Sequence, residues 1–235
     1  MAPEAQKIRR MFTEIADRYD ITNDVLSLGV HKIWKNKVIV ASGATRNSHV
    51  LDCATGTGDL AFLFRERVGA EGRVVGTDFC AAMLDKAKER SVGKSVSVEF
   101  YEQDAQRLEM FKDNSFDTCT MAFGIRNVEQ PSLAIHQMHR VLKKGGFLVI
   151  LEFGQPEAKL FKSVYRIYSD RILPTVGSLL TGGKKGAYHY LNQSAAQFPC
   201  GKEFQTLIEK SASFESVTYE ALTGGIAYLY TAIKK

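Results

Sequence analysis

No stretch of these 235 residues supplies the ~20 consecutive apolar side chains that a membrane-crossing helix needs, so no helical span is expected. The opening residues, MAPEAQKIRRMF, lack the apolar segment of a secretory signal, so no export is expected. Only five prolines occur, and aromatics make up 10% of the chain, a composition that argues against disorder. The four cysteines, Cys53, Cys80, Cys119 and Cys200, form no C-x-x-C pair, which leaves no zinc motif and no dithiol motif. No metal is therefore expected. Cys53 and Cys119 lie in apolar runs and read as small buried thiols, which fits a reducing, cytoplasmic compartment. Charge of one sign is also lacking. Thirty-one Lys+Arg against 26 Asp+Glu leave a net charge of +5, too diffuse for a nucleic-acid stripe but compatible with attraction to an anionic surface.

The chain does hold one domain's worth of core, with 45% hydrophobic residues. Ile8, Met11, Phe12, Ile15, Ala16 and Tyr19 follow the spacing of one helical stripe. Asp20 to Ser27 is polar and rich in cap formers, and a second helix is expected from about Val30 to Val40, ended by Ser42-Gly43. Residues 1–45 thus read as a helical lid preceding the main domain, 46–235. There the period changes. Strands are expected at His49–Ala54, Arg73–Asp78, Val96–Tyr101, Phe116–Ala122 and Phe147–Phe153. Helices alternate with them at Asp59–Val68, Ala81–Arg90 and from Pro131 onward, the last stopped by Gly145-Gly146. Such alternation predicts a parallel sheet with helices on both faces. After a second lid segment, about 155–200, a helix at Lys202–Ser211 is followed by two strands, Phe214–Leu222 and Ile226–Ile233. Thr223-Gly224-Gly225 between them signals a hairpin, so one strand must run antiparallel.

Chemistry concentrates at the turn after the first strand. Asp52-Cys53-Ala54-Thr55-Gly56-Thr57-Gly58-Asp59 reads G-x-G-x-x-A from Gly56, and Asp78 follows Gly58 by twenty residues at the end of the second strand. An acidic residue at that position suits ribose hydroxyls. Both dinucleotide and sulfonium-nucleoside folds share this pattern, and charge separates them. A pyrophosphate needs bare amides and a positive helix end. Asp52 and Asp59 would repel it and favour a ligand carrying an ammonium and a sulfonium, which is S-adenosyl-L-methionine (SAM). Asp59 is also what a plain helix cap would be. Asp104-Ala105 follows the third strand, where a carboxylate and the next amide can meet an adenine. After the fourth strand, the Gly124-Ile125-Arg126-Asn127 loop should face the reacting centre.

These residues resemble the class I SAM-dependent methyltransferases. Two stretches are similar to signatures of the menaquinone/ubiquinone biosynthesis C-methyltransferase family. One is Tyr19-Asp20-Ile21-Thr22-Asn23-Asp24-Val25-Leu26-Ser27, continuing to His31 and Trp34. The other is Arg140-Val141-Leu142-Lys143-Lys144-Gly145-Gly146, continuing to Glu152. Gly124-x-Arg126-Asn127, Ile172-Leu173-Pro174 with Gly177-Ser178, and Tyr188-x-Tyr190-Leu191 ahead of Phe198-Pro199 match as well. The resemblance covers nearly the whole chain. It departs at Lys144, where proline is common; at Gly154, where serine is usual; at Ala122, where a cofactor-touching serine is frequent; and at Ala54-Thr55.

The resemblance implies an α/β fold: a Rossmann-like sheet, mostly parallel with one antiparallel strand, helices on both faces and an N-terminal helical lid. It implies methyl transfer from SAM to a ring carbon of reduced demethylmenaquinone, giving menaquinol. Cofactor contacts are then expected from Asp52, Gly56, Thr57, Gly58, Asp78, Asp104, Ala105 and Ala122. Arg126 is expected to stabilise a phenolate, with Asn127 holding the ring oxygen or Arg126 itself, and water or His31 taking the proton. Tyr19, Asn23, His31, Trp34, Tyr168, Tyr188 and Tyr190 are assigned to the substrate or lid, although Tyr19 and Trp34 also suit plain helix packing. Leu160, Phe161, Val164, Tyr168 and Ile172 share one apolar face. That face suits either a core helix or an interfacial one that lets a prenyl tail enter from a bilayer. Expected partners are a polyprenyl quinol and no nucleic acid, with peripheral contact at the inner face of the membrane and a homodimer left open. The competing readings are a ubiquinone precursor, another phenolic or lipid acceptor, and a SAM-binding assembly partner without catalysis. A nicotinamide oxidoreductase is opposed by Asp52 and Asp59.

Overall fold

The computed structural model describes residues 3–93, 98–156 and 185–235, with the side chains of residues 3–4 and 185–189 outside the described part. Three N-terminal helices come first: α1 (Pro3–Ile15), α2 (Tyr19–Ser27) and α3 (Val30–Ala41). The domain that follows runs β1 (His49–Cys53), α4 (Asp59–Val68), β2 (Arg73–Asp78), α5 (Ala81–Ser91), β3 (Glu99–Glu102), β4 (Phe116–Ala122), α6 (Pro131–Val141) and β5 (Leu142–Phe153). It closes with α7 (Lys185–Gln197), α8 (Lys202–Ser211), β6 (Phe214–Leu222) and β7 (Ala227–Lys234).

The seven strands form one sheet in the order β3-β2-β1-β4-β5-β7-β6. β7 is antiparallel to both neighbours and the other pairings are parallel, as the hairpin signal requires. Side chains alternate across the sheet with period two. Val50, Val74, Val149 and Leu151 pack with Phe64, Val68 and Trp34 on one face. Leu51, Val75, Cys119 and Ile150 pack with Ile135, Met138 and Phe204 on the other. The inner strands β1, β2 and β5 are therefore apolar on both sides, which is why they read as continuous apolar runs, whereas the edge strand β6 is largely exposed. Cys53 and Cys119 are buried free thiols, as expected.

Several local expectations change. The third strand, expected at Val96–Tyr101, runs Glu99–Glu102, and residues 94–97 lie outside the described residues. Asp20–Ser27 is a helix rather than a polar connection. Its hydroxyl residues bond back along the helix, Thr22 Oγ1 to the Arg18 carbonyl at 2.7 Å and Ser27 Oγ to the Asn23 carbonyl at 2.7 Å, while Thr22 and Leu26 face inward. The helix at Pro131 ends at Val141, before the glycines. Leu142 is already extended and pairs with Phe116, and the register shift between Phe116 and Thr118 makes Gly146 part of an irregular strand. A Cβ at Gly146 would lie 2.8 Å from the Lys143 carbonyl and 2.9 Å from that of Asp117, so the close backbone approach needs glycine. Helix α7 is new, having lain inside the second lid segment. The apolar face from Leu160 to Ile172, with Tyr168, lies outside the described residues.

The order reverses between β1 and β4, where helices leave the sheet in opposite directions. The crevice at such a switch point opens beyond the carboxyl ends of the strands. The turns carrying Asp52, Asp78, Asp104 and Ala122 end there.

Candidate active site

The turn after β1 is held from several sides. The Thr55 amide donates to the Thr77 carbonyl at 2.9 Å, and the Gly58 amide to the Thr55 carbonyl at 3.0 Å. Ala54, Gly56 and Gly58 have φ of 51°, 58° and 86°, left-handed values that glycine adopts without strain at two of the three positions. Asp78 accepts from the Gly56 amide at 2.9 Å through Oδ2 and from the Cys80 amide at 2.9 Å through Oδ1. Asp52 accepts from Thr55 Oγ1 at 2.6 Å and from Thr120 Oγ1 at 2.8 Å. Burial pushes both carboxyls up to about 6, against these hydrogen bonds.

Two cavities meet over this turn. The larger, about 810 Å³, is lined by Gly56, Asp78, Phe79, Met83, Gln103, Asp104 and Ala105. The other, about 460 Å³, is mainly apolar and lies between the N-terminal helices, α7 and the sheet. Phe12, Tyr19, Ala54, Gly56, Ala122 and Phe123 line both. Of the expected cofactor residues, Gly56, Asp78, Asp104, Ala105 and Ala122 border the larger cavity, while Asp52 and Thr57 border the apolar one. The donor set fits SAM. Carboxylates predominate over cations around Gly56, and Asp78 stands at the end of β2 beside the same cavity as Asp104 and Ala105.

Asp59 departs from its expected part. Burial alone would raise it, but the charges and hydrogen bonds of Lys35 at 2.9 Å and Arg90 at 2.6 Å hold it down at about 2. Its charge is already matched, so the carboxylate available to a cationic ligand on β1 is that of Asp52. Asp59 instead belongs to a latch. Thr57 Oγ1 donates to Asp20 Oδ1 at 2.6 Å, and Arg90 bridges Asp20 at 2.8 Å, the Thr57 carbonyl at 3.0 Å and Asp59. Helices α2 and α3 are thereby tied to the glycine turn, α4 and α5. Asp20 read only as a cap former in the sequence. Its partners stand 37 and 70 positions away, and no local pattern links them.

The apolar cavity collects most of the expected lid residues. Tyr19, Asn23, His31, Trp34 and Tyr190 line it, with Arg126 among them. Trp34 donates from Nε1 to Thr223 Oγ1 at 3.1 Å and packs against Phe123 and Phe153, whose rings stack at 4.3 Å. The packing role and the lining role therefore coincide. Tyr168 and the side chain of Tyr188 lie outside the described residues.

Arg126 sits in a 3-10 turn, Ile125–Asn127, after β4. Its side chain is 5% exposed and pairs with the 1%-exposed Glu152 of β5 at 2.7 Å. Nη1 also donates to the Phe123 carbonyl, and the guanidinium lies 5.3 Å from the Phe153 ring centre. Nε is buried and finds no hydrogen-bond partner among the described residues. Glu152 further accepts from the backbone amides of Arg126 at 3.2 Å and Phe153 at 2.8 Å. Sequence reasoning placed Glu152 at the end of a signature without finding its partner. Asn127 faces the larger cavity and accepts from Tyr190 Oη at 3.1 Å, joining the loop to α7.

Comparison with known proteins agrees with this geometry. The model of the ubiE/COQ5 methyltransferase family matches residues 1–234. A ubiquinone/menaquinone biosynthesis C-methyltransferase UbiE of Bdellovibrio bacteriovorus is 45% identical over 234 residues, covering 100% of this chain and 98% of that protein. Its counterpart in Stutzerimonas stutzeri is 42% identical, over 98% of this chain and 90% of its own length. Among solved structures, a SAM-dependent methyltransferase of Thermotoga maritima superposes with a TM-score of 0.65 at 18% identity, over 96% of this chain and 99% of its own. A phosphoethanolamine N-methyltransferase of Haemonchus contortus in complex with SAM gives 0.63 at 16% identity, over 86% of this chain and 52% of its own. At such identities the structural likeness speaks for the fold. The family match spans the chain end to end, and together with the paired cavities over the glycine turn it identifies this chain as a SAM-dependent methyltransferase belonging to the ubiE/COQ5 methyltransferase family.

Proposed function

We infer that this enzyme methylates a ring carbon of reduced demethylmenaquinone, producing menaquinol. The observation that carries the reading is a buried arginine, its Nε without a hydrogen-bond partner among the described residues, bordering a mainly apolar cavity that adjoins the cofactor cavity. A ring carbon becomes nucleophilic when a neighbouring hydroxyl loses its proton, so the site must stabilise an oxyanion. Arg126 supplies that stabilisation from a low-dielectric position fixed in advance by Glu152 and the Phe123 carbonyl. It is not the base, because a guanidinium keeps its proton. Asn127 orients the loop through Tyr190 rather than facing the apolar cavity. Trp34, Phe123 and Phe153 exclude water and offer ring faces to an aromatic head group.

SAM supplies the electrophilic methyl group when bound. Asp52, Gly56, Thr57, Gly58, Asp78, Asp104, Ala105 and Ala122 are the residues assigned to hold it, with Asp52 and Asp78 contributing negative charge and Gly56 permitting close backbone approach. The names of the relatives join ubiquinone to menaquinone, so a benzoquinol precursor of ubiquinone is the second acceptor to test. The deciding assay supplies reduced demethylmenaquinone, its oxidised form and a reduced ubiquinone precursor, each with SAM, and follows product mass. The reading expects turnover of the reduced naphthoquinone and none of the oxidised form. Equal rates on both would refute the oxyanion mechanism.

A lipid substrate also calls for contact with a bilayer. No helix among the described residues is long and apolar enough to cross one. Ile21, Val25 and Leu28 are exposed on and just beyond α2, and Leu28 also lines the apolar cavity, which supports a peripheral approach there. Flotation with anionic vesicles checks it, and protein left wholly in the pellet would sink this part.

A further inference from the structure

We propose that His31 is the general base of the reaction, acting through the Ser27 hydroxyl and held by Asp24. The proposal rests on the quinol-methylating reading above and adds to it the atom that takes the proton.

Methylation of an aromatic carbon releases one proton net, and Arg126 cannot accept it. Among the titratable side chains lining the apolar cavity, Asp52 is taken up by Thr55 and Thr120 and Asp59 by Lys35 and Arg90, whereas His31 meets a cavity-lining hydroxyl. It is 6% exposed, at the start of α3, and both of its ring nitrogens are engaged. Nδ1 lies 2.5 Å from Ser27 Oγ, which also borders the cavity. Nε2 faces Asp24 Oδ1 at 3.4 Å. The three residues come from the end of α2 and the start of α3, joined by a tight turn at Leu28-Gly29. That turn is closed by the Gly29 amide donating to the Asp24 carbonyl at 3.0 Å.

The neighbours choose the tautomer. A carboxylate opposite Nε2 favours the proton on that nitrogen, which leaves Nδ1 as an acceptor. The Ser27 hydroxyl has two acceptors in reach, the Asn23 carbonyl at 2.7 Å and His31 Nδ1. It donates to Nδ1 when the relay is set. A substrate hydroxyl at Ser27 then gives its proton to Oγ as Oγ gives its own to Nδ1. The products are an imidazolium beside Asp24 and a substrate oxyanion, with charge and protons balanced. This is serine–histidine–carboxylate logic, with serine as proton carrier instead of nucleophile. Methyl transfer turns the oxyanion into a ring carbonyl and leaves the methylated carbon holding its hydrogen. The ring becomes aromatic again as that proton goes to water and the carbonyl oxygen takes back, through Ser27 Oγ, the proton held on His31. One proton is thus released net and the base is reset.

The groups facing His31 fit a base that is empty at neutral pH. Burial lowers its pKa, Lys35 and Lys32 lower it further, and Asp24 and Asp59 pull the other way. Lys35 is itself bound to Asp59, and Lys32 to Asp24.

The test uses the full-length enzyme, SAM and a short-chain reduced demethylmenaquinol, with kcat/KM followed from pH 5 to 9. Wild type is expected to lose activity on an acid limb as His31 protonates. His31→Gln should lose ~10²-fold in kcat, keep its SAM affinity and show a rate that climbs with pH because hydroxide replaces the base. Ser27→Ala leaves the imidazole in place and should lose kcat comparably. Asp24→Asn should move the acid limb to lower pH. A second readout needs no turnover: imidazole NMR of the SAM-free protein should show the His31 titration shifting downward in Asp24→Asn. His31→Gln with wild-type kcat and an unchanged acid limb, or Ser27→Ala with full activity, would overturn the relay while leaving the reaction intact. A wild-type enzyme that never methylates the quinol would remove both, so the two failures are told apart.

Discussion

Cutting Glu152 back to alanine should be among the most damaging single changes available in this fold, and the loss can be sized. Glu152 and Arg126 are 1% and 5% exposed and 2.7 Å apart, so removing the carboxylate strands a guanidinium in the interior. Breaking a buried pair in this way costs ~3–5 kcal/mol. Two backbone amides, those of Arg126 and Phe153, also lose their carboxylate acceptor, so the upper half of that range is expected. For a chain of this length, each kcal/mol moves the midpoint by roughly 2–4 °C, giving a drop in Tm on the order of 8–20 °C. Urea unfolding followed by far-UV circular dichroism measures the free energy directly. The double variant Arg126→Met with Glu152→Met supplies the contrast. With no stranded charge it should be clearly more stable than Glu152→Ala, because replacing a buried pair by apolar groups is often neutral or better. Yet it should be inactive, since the oxyanion partner is gone and such electrostatic contacts are worth ~10²–10³ in kcat. A loss below about 1 kcal/mol in Glu152→Ala would refute the reasoning, because Arg126 would then be solvated rather than held in a dry site.

Other outcomes follow from the site. Asp52 and Asp78 sit at about 6 in the ligand-free protein, and a cationic ligand favours their ionised forms, so SAM affinity should fall below pH 6 by roughly tenfold per unit for each carboxylate that binding requires. Titration calorimetry in buffers of different ionisation enthalpy should also register proton release near pH 6, and pH-independent binding from 5 to 8 would contradict it. The same raised values mean that the folded form holds protons the unfolded chain has released. These two groups therefore subtract stability as pH climbs from about 4 to about 6, whereas Asp59, held at about 2, adds stability that is lost only as pH falls below about 4. Asp20→Ala should open the latch on Thr57 and Arg90. The Asp20 and Arg90 side chains are about one-third exposed, so a loss of ~1 kcal/mol or less is expected, with SAM affinity weakened a few-fold and faster proteolysis before residue 45. Unchanged affinity and cleavage would make the contact incidental. Trp34 is the only tryptophan and lines the apolar cavity, so its fluorescence should be quenched by demethylmenaquinone without SAM, and an unquenched signal would put the quinone elsewhere.

Much of the architecture was legible because it is written in local terms. Asp59–Val68, Arg73–Asp78, Phe116–Ala122 and Lys202–Ser211 have the bounds that periodicity predicts. A strand buried on both faces must be continuously apolar, and a helix on a sheet must be striped. The hairpin at Thr223-Gly224-Gly225 likewise announced the antiparallel strand. The misses have local causes too. Asp20–Ser27 carries side chains that suit caps, yet its hydroxyls bond within the helix once Leu26 and Thr22 are buried. The glycine pair at 145–146 marks close backbone approach in a strand rather than a helix stop.

The glycine turn was readable for a similar reason: glycines that permit left-handed backbone, and an aspartate about twenty residues on at the end of the next strand, are a local pattern. The charges around it were not. Asp59 looks free in a sequence, and only the packing of α3 and α5 brings Lys35 and Arg90 to it. Arg126 and Glu152, 26 residues apart on neighbouring elements, become a pair only when β4 and β5 lie side by side. Backbone conformation follows from neighbours along the chain, so composition, periodicity and turn chemistry settled the fold class and the position of the glycine bend. Electrostatics depends on distance through space and on exclusion of water, so which carboxylate is spent, which arginine is buried and which histidine faces the apolar cavity were decided only when the tertiary fold closed.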